Sequence, residues 1–164
     1  MEGALDKESV RRVVSALALA GIEDRVVALS DTARSAQDAA TALGCELGAI
    51  AKSLVFQIGD HPVMALVAGD RQCDTKALPA LLGIEGKCRR ADPEVVRSAT
   101  GFAIGGVAPV GHASDLPMAI DGSLSRFTRI FAAAGHPHCV FETTLAELAA
   151  VTGGVVDEGV SKNP

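Results

Sequence analysis

Three stretches hold residues whose types and spacing can do chemistry. The first is Ile50–Ile58, IAKSLVFQI, where Lys52 stands among Ile50, Ala51, Leu54 and Val55. Burying an ammonium without a partner is costly, so a lysine in an apolar run needs a reason. Either its stem covers core while its head reaches water, or it is a cation held at the mouth of a pocket. The second is Gly101–Gly111, GFAIGGVAPVG, with Gly101, Gly105, Gly106, Gly111 and one proline, Pro109. Phe102–Ile104 reads as a short strand running into the glycine pair. Glycine reaches φ > 0 and allows close backbone approach, so bare N–H groups there can point at a bound oxygen. A β-bulge or sheet corner asks for the same residues. The spacing is not G-x-G-x-x-G and no helical pattern follows, which argues against a dinucleotide site. The third is His136-Pro137-His138-Cys139. Two imidazoles and a thiol are competent zinc ligands. Pro137 constrains the loop, however, and no second ligand cluster is spaced to complete a site, so no metal or other cofactor is expected.

Composition narrows the choices. The chain has 164 residues, 48 % of them apolar and 21 % charged, which suits one globular domain with its own core. Its net charge of −5 disfavours broad binding to duplex DNA. With no Trp or Tyr and only five Phe, a base-stacking platform is not expected either. The acidic start, MEGALDKE, has no apolar signal region, and no apolar run is long enough for a membrane span. Cys45, Cys73, Cys88 and Cys139 form no CxxC pair, and buried thiols in a reducing cytoplasm are the expectation. Neither a Ser-His-Asp nor a Cys-His pairing is recognisable, and Cys139 sits in an apolar, strand-like context, so no protein nucleophile is expected.

These residues must be positioned by an alternation of helices and strands. Asp6 is placed to cap a first helix, with Leu5 and Val10 as its staple, Val10, Val13, Val14 and Leu17 as its buried face, and Gly21 as its stop. Arg25–Ser30 reads as a strand, and a helix follows from about Ser35 to Leu43, stopped at Gly44. Ile50–Ile58 and Val63–Ala68 read as a β-hairpin turned at Gly59-Asp60-His61-Pro62. Asp70–Gly83 reads as a helix capped by Asp74, with Pro79 predicting a kink or a late start. Lys87–Arg90 is a short basic strand, and Asp92-Pro93-Glu94 opens a helix ending at Gly101. Leu116–Asp121, Phe127–Ala134 and Cys139–Thr143 read as strands. Thr144 and Glu147 form a capping box for a last helix stopped at Gly153, and the polar tail after Val156 reads as loose.

Taken together, IAKSLVF, GDRQCDTKALPALLG, the Asp92-Pro93 helix start, TGFAIGGVAPVG, MAID at Asp121 and AAGHPHCVFETTLAEL resemble the YbaK/ProX family of aminoacyl-tRNA deacylases, which also occurs as the editing insertion of bacterial prolyl-tRNA synthetases. The resemblance spans Arg25 to Gly154 and implies a single α+β domain over 1–164, with a mixed, curved central sheet surrounded by helices. It implies a trans-acting, cytoplasmic enzyme that hydrolyses the ester of a mischarged tRNA. Its partners would be the 3′ acceptor end of the aminoacyl-tRNA and an aminoacyl-tRNA synthetase, with no membrane and no duplex DNA. Lys52 matches the family's functional lysine, and Gly105–Gly111, including Gly106 and Pro109, matches the glycine-rich loop of its pocket. An ester passes through an oxyanion, which Lys52 and the N–H groups of Gly105 and Gly106 can stabilise, with a water as nucleophile. The resemblance also places the His136–His138 loop beside the acyl pocket, leaving open which histidine faces it. Asp121 can orient Lys52 or the ribose, or simply start a turn; Thr32 can line the pocket mouth or be an ordinary turn residue. Lys87/Arg89/Arg90 and Arg126/Arg129 are either tRNA phosphate contacts or solvated surface. A non-catalytic aminoacyl-tRNA or synthetase binding module and a small-ester hydrolase on the same fold are the alternatives.

Overall fold

The computed structural model describes residues 3–30 and 35–164. A 3-10 turn, Ala4–Asp6, precedes α1, Glu8–Leu19, whose buried face is Val10, Val13 and Leu17. Asp6 is not the cap: Lys7 takes that position, and the Asp6 carboxylate folds back to accept from Gly3 N–H at 3.3 Å. The added turn carries Leu5 off the helix face, leaving it 45 % exposed, so the staple does not form. At the other end Ile22 N–H donates to Leu17 C=O at 2.9 Å, the expected Schellman closure over Gly21.

β1, Val26–Ala28, is followed by α2, Ala36–Leu43, where Ser35 accepts from Asp38 N–H as its cap. A 3-10 turn, Leu47–Ala49, feeds β2, Ile50–Ile58, and a tight turn returns the chain as β3, His61–Ala68. Then come β4, Gln72–Cys73; α3, Leu78–Leu82; β5, Cys88–Arg90; and α4, Pro93–Thr100. β6, Met118–Asp121, leads through a 3-10 helix, Gly122–Arg126, to β7, Ile130–Ala133, and β8, Cys139–Thr143. α5, Leu145–Thr152, β9, Val155–Asp157, and β10, Ser161–Lys162, complete the chain.

The eight-stranded sheet is mixed, in the order β1-β8-β7-β2-β3-β6-β9, with β5 added beside β2. β2 runs antiparallel to β3 and parallel to β7, and β3 runs parallel to β6. Both faces of its centre are covered, which is why Val63–Ala68 is buried without a polar alternation. Alternate residues serve different layers. Ala51, Val55, Met64 and Leu66 join Val13, Leu17, Phe102 and Phe141 in the larger apolar layer. Phe56, Ile58, Val63, Ala65 and Val67 join Leu78 and Val160 in the smaller one. No described helix is long and apolar enough to cross a membrane.

Several local expectations give way to tertiary pairing. Phe102–Ile104 is a turn, not a strand: Thr100 Oγ accepts from Phe102 N–H at 3.0 Å, and Ile104 is 57 % exposed. The helix expected over Asp70–Gly83 shrinks to five residues, because residues 72–73 pair with β10 and Pro79 fixes a late start. Thr144 Oγ accepts from Glu147 N–H, but Glu147's carboxylate takes Thr143 Oγ and Arg25 instead of closing the capping box. The tail after Val156 is not loose. β9 lies parallel to β6, β10 pairs with β4, and Val160 is fully buried.

Candidate active site

The sheet is interrupted at its centre. β2 pairs with β3 along Ala51–Ile58, but its other edge is shared between β7, at Ile50 and Ala51, and β5, at Phe56–Ile58. Among the described residues, Lys52, Ser53, Leu54 and Val55 have no strand partner on that edge; Ala91 N–H to Val55 C=O, at 3.2 Å, closes its far end. Two cavities meet at this opening. One, of about 390 Å³, is lined by Ser53, Ile104, Gly105, Val107, Ala132 and Pro137, among others. The other, of about 800 Å³, is lined by Asp70, Arg71, Cys73 and Arg89, among others. Lys52, Leu54 and Arg90 belong to both.

Lys52 sits opposite Val67 in the ladder, so its stem leaves the sheet on the side of the smaller apolar layer. It is half-buried, and its Nζ donates to Arg71 C=O at 2.8 Å. One of three ammonium donors is thereby used and two stay available. Burial pulls its pKa below the usual lysine value, while the negative charge of Asp70, and more weakly that of Asp121, works against that fall. The carbonyl that receives Lys52 is itself held. Arg71 N–H donates to Ala68 C=O at 3.0 Å, and the Arg71 guanidinium donates to Ser161 Oγ at 2.7 Å and Asn163 Oδ1 at 3.1 Å. Asp70 accepts a two-pronged bond from Arg126, at 2.8 and 2.9 Å, which holds its carboxyl below the ordinary range. The segment expected to be loose therefore helps to fix the floor under Lys52.

Asp121 is fully buried, accepting from Ala68 N–H at 3.0 Å and Ser123 N–H at 2.9 Å. The turn-starting reading is thus realised, and its negative charge supports the Lys52 ammonium from two strands along the sheet. Burial also pushes the Cys73 thiol up to about 12, leaving it protonated.

The glycine-rich stretch divides. Gly105 is exposed, lines the smaller cavity and has φ +97°; its N–H donates to nothing among the described residues. Gly106 is placed differently from expectation. It is buried, does not line the cavity, and donates its N–H to Ala103 C=O at 3.2 Å. A Cβ there would stand 2.9 Å from His136 Cα, so glycine is needed for packing of two backbone segments. Pro109 and Gly111 also lie away from Lys52, beside α1 and α5. Arg12 secures this part of the loop: its Nε donates to Gly111 C=O at 2.9 Å, its Nη2 donates to Thr100 C=O at 3.0 Å, and its guanidinium stacks 4.3 Å from the Phe102 ring centre.

The His136–Cys139 loop reaches the smaller cavity through Pro137 and Cys139; neither histidine lines it. His136 Nδ1 accepts from His138 N–H at 3.1 Å, which places the proton of a neutral ring on Nε2. Burial first, then the neighbouring His138 and Lys7, lower its pKa below the ordinary histidine value. Among the described residues no three His, Cys, Asp or Glu side chains converge. Thr32 lies outside the described residues. Arg90, one of the basic residues weighed from the sequence as a phosphate contact or solvated surface, borders both cavities. Sequence reasoning passed over Ser53, whose Oγ is buried with no hydrogen-bond partner among the described residues. Ser53 follows the lysine directly, and strand alternation sends the two side chains to opposite faces.

The comparisons agree with this architecture. A solved structure described as a candidate trans-editing enzyme for prolyl-tRNA synthetase is 41 % identical, with a TM-score of 0.87 over 96 % of this chain and 99 % of that one. An uncharacterised Bacillus subtilis protein, YwhH, is 36 % identical over 128 residues, 77 % of this chain and 80 % of its own length. EbsC of Enterococcus faecalis, named as a candidate Cys-tRNA(Pro)/Cys-tRNA(Cys) deacylase, is 28 % identical over 137 residues, 82 % of each. Residues 30–151 match the model of the aminoacyl-tRNA editing domain, and the chain belongs to that family.

Proposed function

We propose that this protein is a trans-acting deacylase of the cytoplasm that hydrolyses the ester joining a wrong amino acid to the terminal ribose of a tRNA. The observation that carries this reading is Lys52: a half-buried ammonium with free donors, held at an opening between an apolar cavity and a cationic one. An aminoacyl ester has the matching shape, with a small acyl group on one side of its carbonyl and a charged nucleic acid on the other.

The ester carbonyl lies across the open edge of β2, with its acyl side chain toward Val107 and Ala132. A water adds to the carbonyl carbon and generates a tetrahedral oxyanion. The Lys52 ammonium and the unused Gly105 N–H supply preorganised positive charge to that oxygen. The intermediate collapses by breaking the bond to the ribose oxygen, which takes up a proton, releasing the free amino acid and the uncharged RNA. Ser53 Oγ has no base bonded to it among the described residues and burial pushes the Cys139 thiol up, so the neighbouring ribose hydroxyl is the group assigned to orient the water. Asp121 and Arg71 act as positioning residues, one by charge and one through its carbonyl.

The test is turnover on a panel of tRNAs mischarged with small amino acids. Multiple turnovers on at least one member, with correctly charged proline spared, are expected. Saturable binding of the same RNAs without turnover would make the protein a binding module. Equal turnover of free amino acid esters would make it a general esterase.

A further inference from the structure

Lys52 takes its position from the far end of the chain. We propose that Ser161 of β10 and Asn163 just after it are positioning residues for Lys52: together they fix the Arg71 carbonyl, and that carbonyl fixes where the ammonium stands at the open edge of β2. The effect on turnover rests on the deacylase reading; the effect on Lys52 itself does not.

The Arg71 carbonyl is the acceptor that Lys52 Nζ reaches, at 2.8 Å. The peptide plane that carries it joins Arg71 to Gln72 and is held from both ends. On one side Arg71 N–H closes a turn onto Ala68 C=O at 3.0 Å. On the other, Gln72 and Cys73 form β4, whose strand partner among the described residues is β10, with Gln72 opposite Lys162 and Cys73 opposite Ser161. The Arg71 side chain ties the same two segments together again. Its Nε donates to Ser161 Oγ at 2.7 Å, its Nη1 to Asn163 Oδ1 at 3.1 Å and its Nη2 to Ser161 C=O at 3.4 Å. A planar fork bonded at several points to one segment restrains its own backbone more than a single bond would. β10 can act as an anchor because it is itself fixed: Val160 and Ser161 are buried, and Val160 C=O accepts from Asp74 N–H at 2.8 Å. Lysine's flexible four-carbon stem has many rotamers, and one fixed acceptor selects among them. The charged groups facing Lys52 come from every element around it: Asp70 and Arg71 from the turn, Arg90 from β5 and Asp121 from β6, with the protonated Cys73 thiol of β4 beside them. Replacing Ser161 and Asn163 by alanine changes none of these charges and leaves the β4–β10 backbone pairing in place. A change at Lys52 then reports the loosened acceptor.

In the experiment, lysines isotopically labelled at Cε are titrated by NMR, with Lys52 assigned by its loss in Lys52→Ala, and deacylation of mischarged tRNA is followed across the same pH range. Wild type, Ser161→Ala/Asn163→Ala, Asn163→Ala alone, Ser161→Thr and Lys162→Ala are compared after melting curves confirm that each is folded. A carbonyl that accepts from the ammonium favours the charged form, so Lys52 of the double variant should titrate at lower pH than in wild type. The alkaline fall in activity should move the same way, with kcat about tenfold lower and KM within about twofold of wild type, as for a misplaced group rather than a lost binding contact. Asn163→Ala, at an exposed position, should show the same shift in smaller measure, and it carries the test if the double variant does not fold. Ser161→Thr keeps the hydroxyl, and Lys162→Ala removes a side chain that forms no hydrogen bond with Arg71; both should behave as wild type. An unmoved Lys52 titration in the double variant, an equal shift in Lys162→Ala, or a loss of kcat that follows melting temperature alone refutes the assignment. If the titration moves but no form deacylates any mischarged tRNA, the positioning role stands and the deacylase reading falls.

Discussion

Lys52 and Ser53 are neighbours on one strand, yet they face ligand environments of opposite kind. On one side of β2 lies a cavity of about 800 Å³ with Lys52, Arg71, Arg89 and Arg90 in its wall. The other, of about 390 Å³, shares Lys52, Leu54 and Arg90 with the first and adds Gly105, Val107, Ala132 and a buried hydroxyl that has no partner among the described residues. The two meet where, among the described residues, β7 and β5 leave Lys52–Val55 of β2 without a strand partner. A strand's period of two sends Lys52 and Ser53 to opposite faces, and a gap in its pairing lets one ligand touch both. The chemistry belongs to the junction, where neither cavity alone would hold an ester.

The largest expected effect comes from deleting the cation at that junction. Lys52→Ala should lower kcat/KM for deacylation by about 10²-fold or more while the melting temperature stays close to wild type, as for an interaction made in the transition state. Near-normal turnover would remove the lysine from the mechanism. The pH profile sharpens the point. Because burial lowers the Lys52 pKa, the active ammonium is lost as pH rises through a value below the ordinary 10.5. Asp70 is the foremost charge opposing that shift, so Asp70→Asn should move the alkaline fall in activity to still lower pH. An unmoved or upward-moved limb would mean that another group controls it.

How much of this was legible in the sequence depends on distance along the chain. The cap at Ser35 and the stop at Gly101 were legible because their hydrogen bonds are local, whereas the caps expected of Asp6 and Asp74 fail because neighbouring residues start those helices elsewhere. The β2–β3 hairpin was legible for the same reason. Pairing of β4 with β10 joins residues far apart in sequence, and nothing in GDRQC or VSKN announces it. The glycine pair shows the limit most clearly. Sequence says that two residues need no side chain, but not which neighbour forbids it. In the fold Gly105 opens onto the cavity, whereas Gly106 abuts the His136 backbone.

That division predicts an intermediate effect. A methyl group on Gly106 would lie 2.9–3.1 Å from His136 Cα, N and carbonyl carbon, backbone atoms that cannot swing aside. Gly106→Ala should therefore destabilise by about 1–3 kcal/mol, as overpacking does, lowering the melting temperature by several degrees. Its activity per folded molecule should stay near normal well below that temperature. Gly105→Ala meets nothing closer than Pro137 Cγ at 3.7 Å, but it is held at φ +97°, and it stands where substrate must approach. It should impair deacylation beyond its loss of stability. Equal activity-to-stability ratios for the two variants would erase the distinction between a packing glycine and a cavity glycine.

The smallest effect tests the apolar side, and its value lies in its signs. A hydroxyl buried without a hydrogen bond disfavours the folded state, since it has left water and gained nothing. If Ser53 Oγ were only a packing imperfection, Ser53→Ala would raise stability slightly and leave kinetics alone. A substrate at the open edge of β2 brings polar atoms, and the unpaired hydroxyl is positioned to bond one of them when the cavity fills. The expected outcome is therefore a melting temperature equal to or a few degrees above wild type, together with a loss in kcat/KM of roughly 2- to 12-fold, the worth of one neutral hydrogen bond. Opposite signs of this kind mark a group kept for function at the expense of stability. A rise in stability with unchanged kinetics on every substrate would leave Ser53 without a role in binding. Recognition on that side would then rest on cavity shape alone, and the contrast between the two cavities would reduce to charge against hydrocarbon.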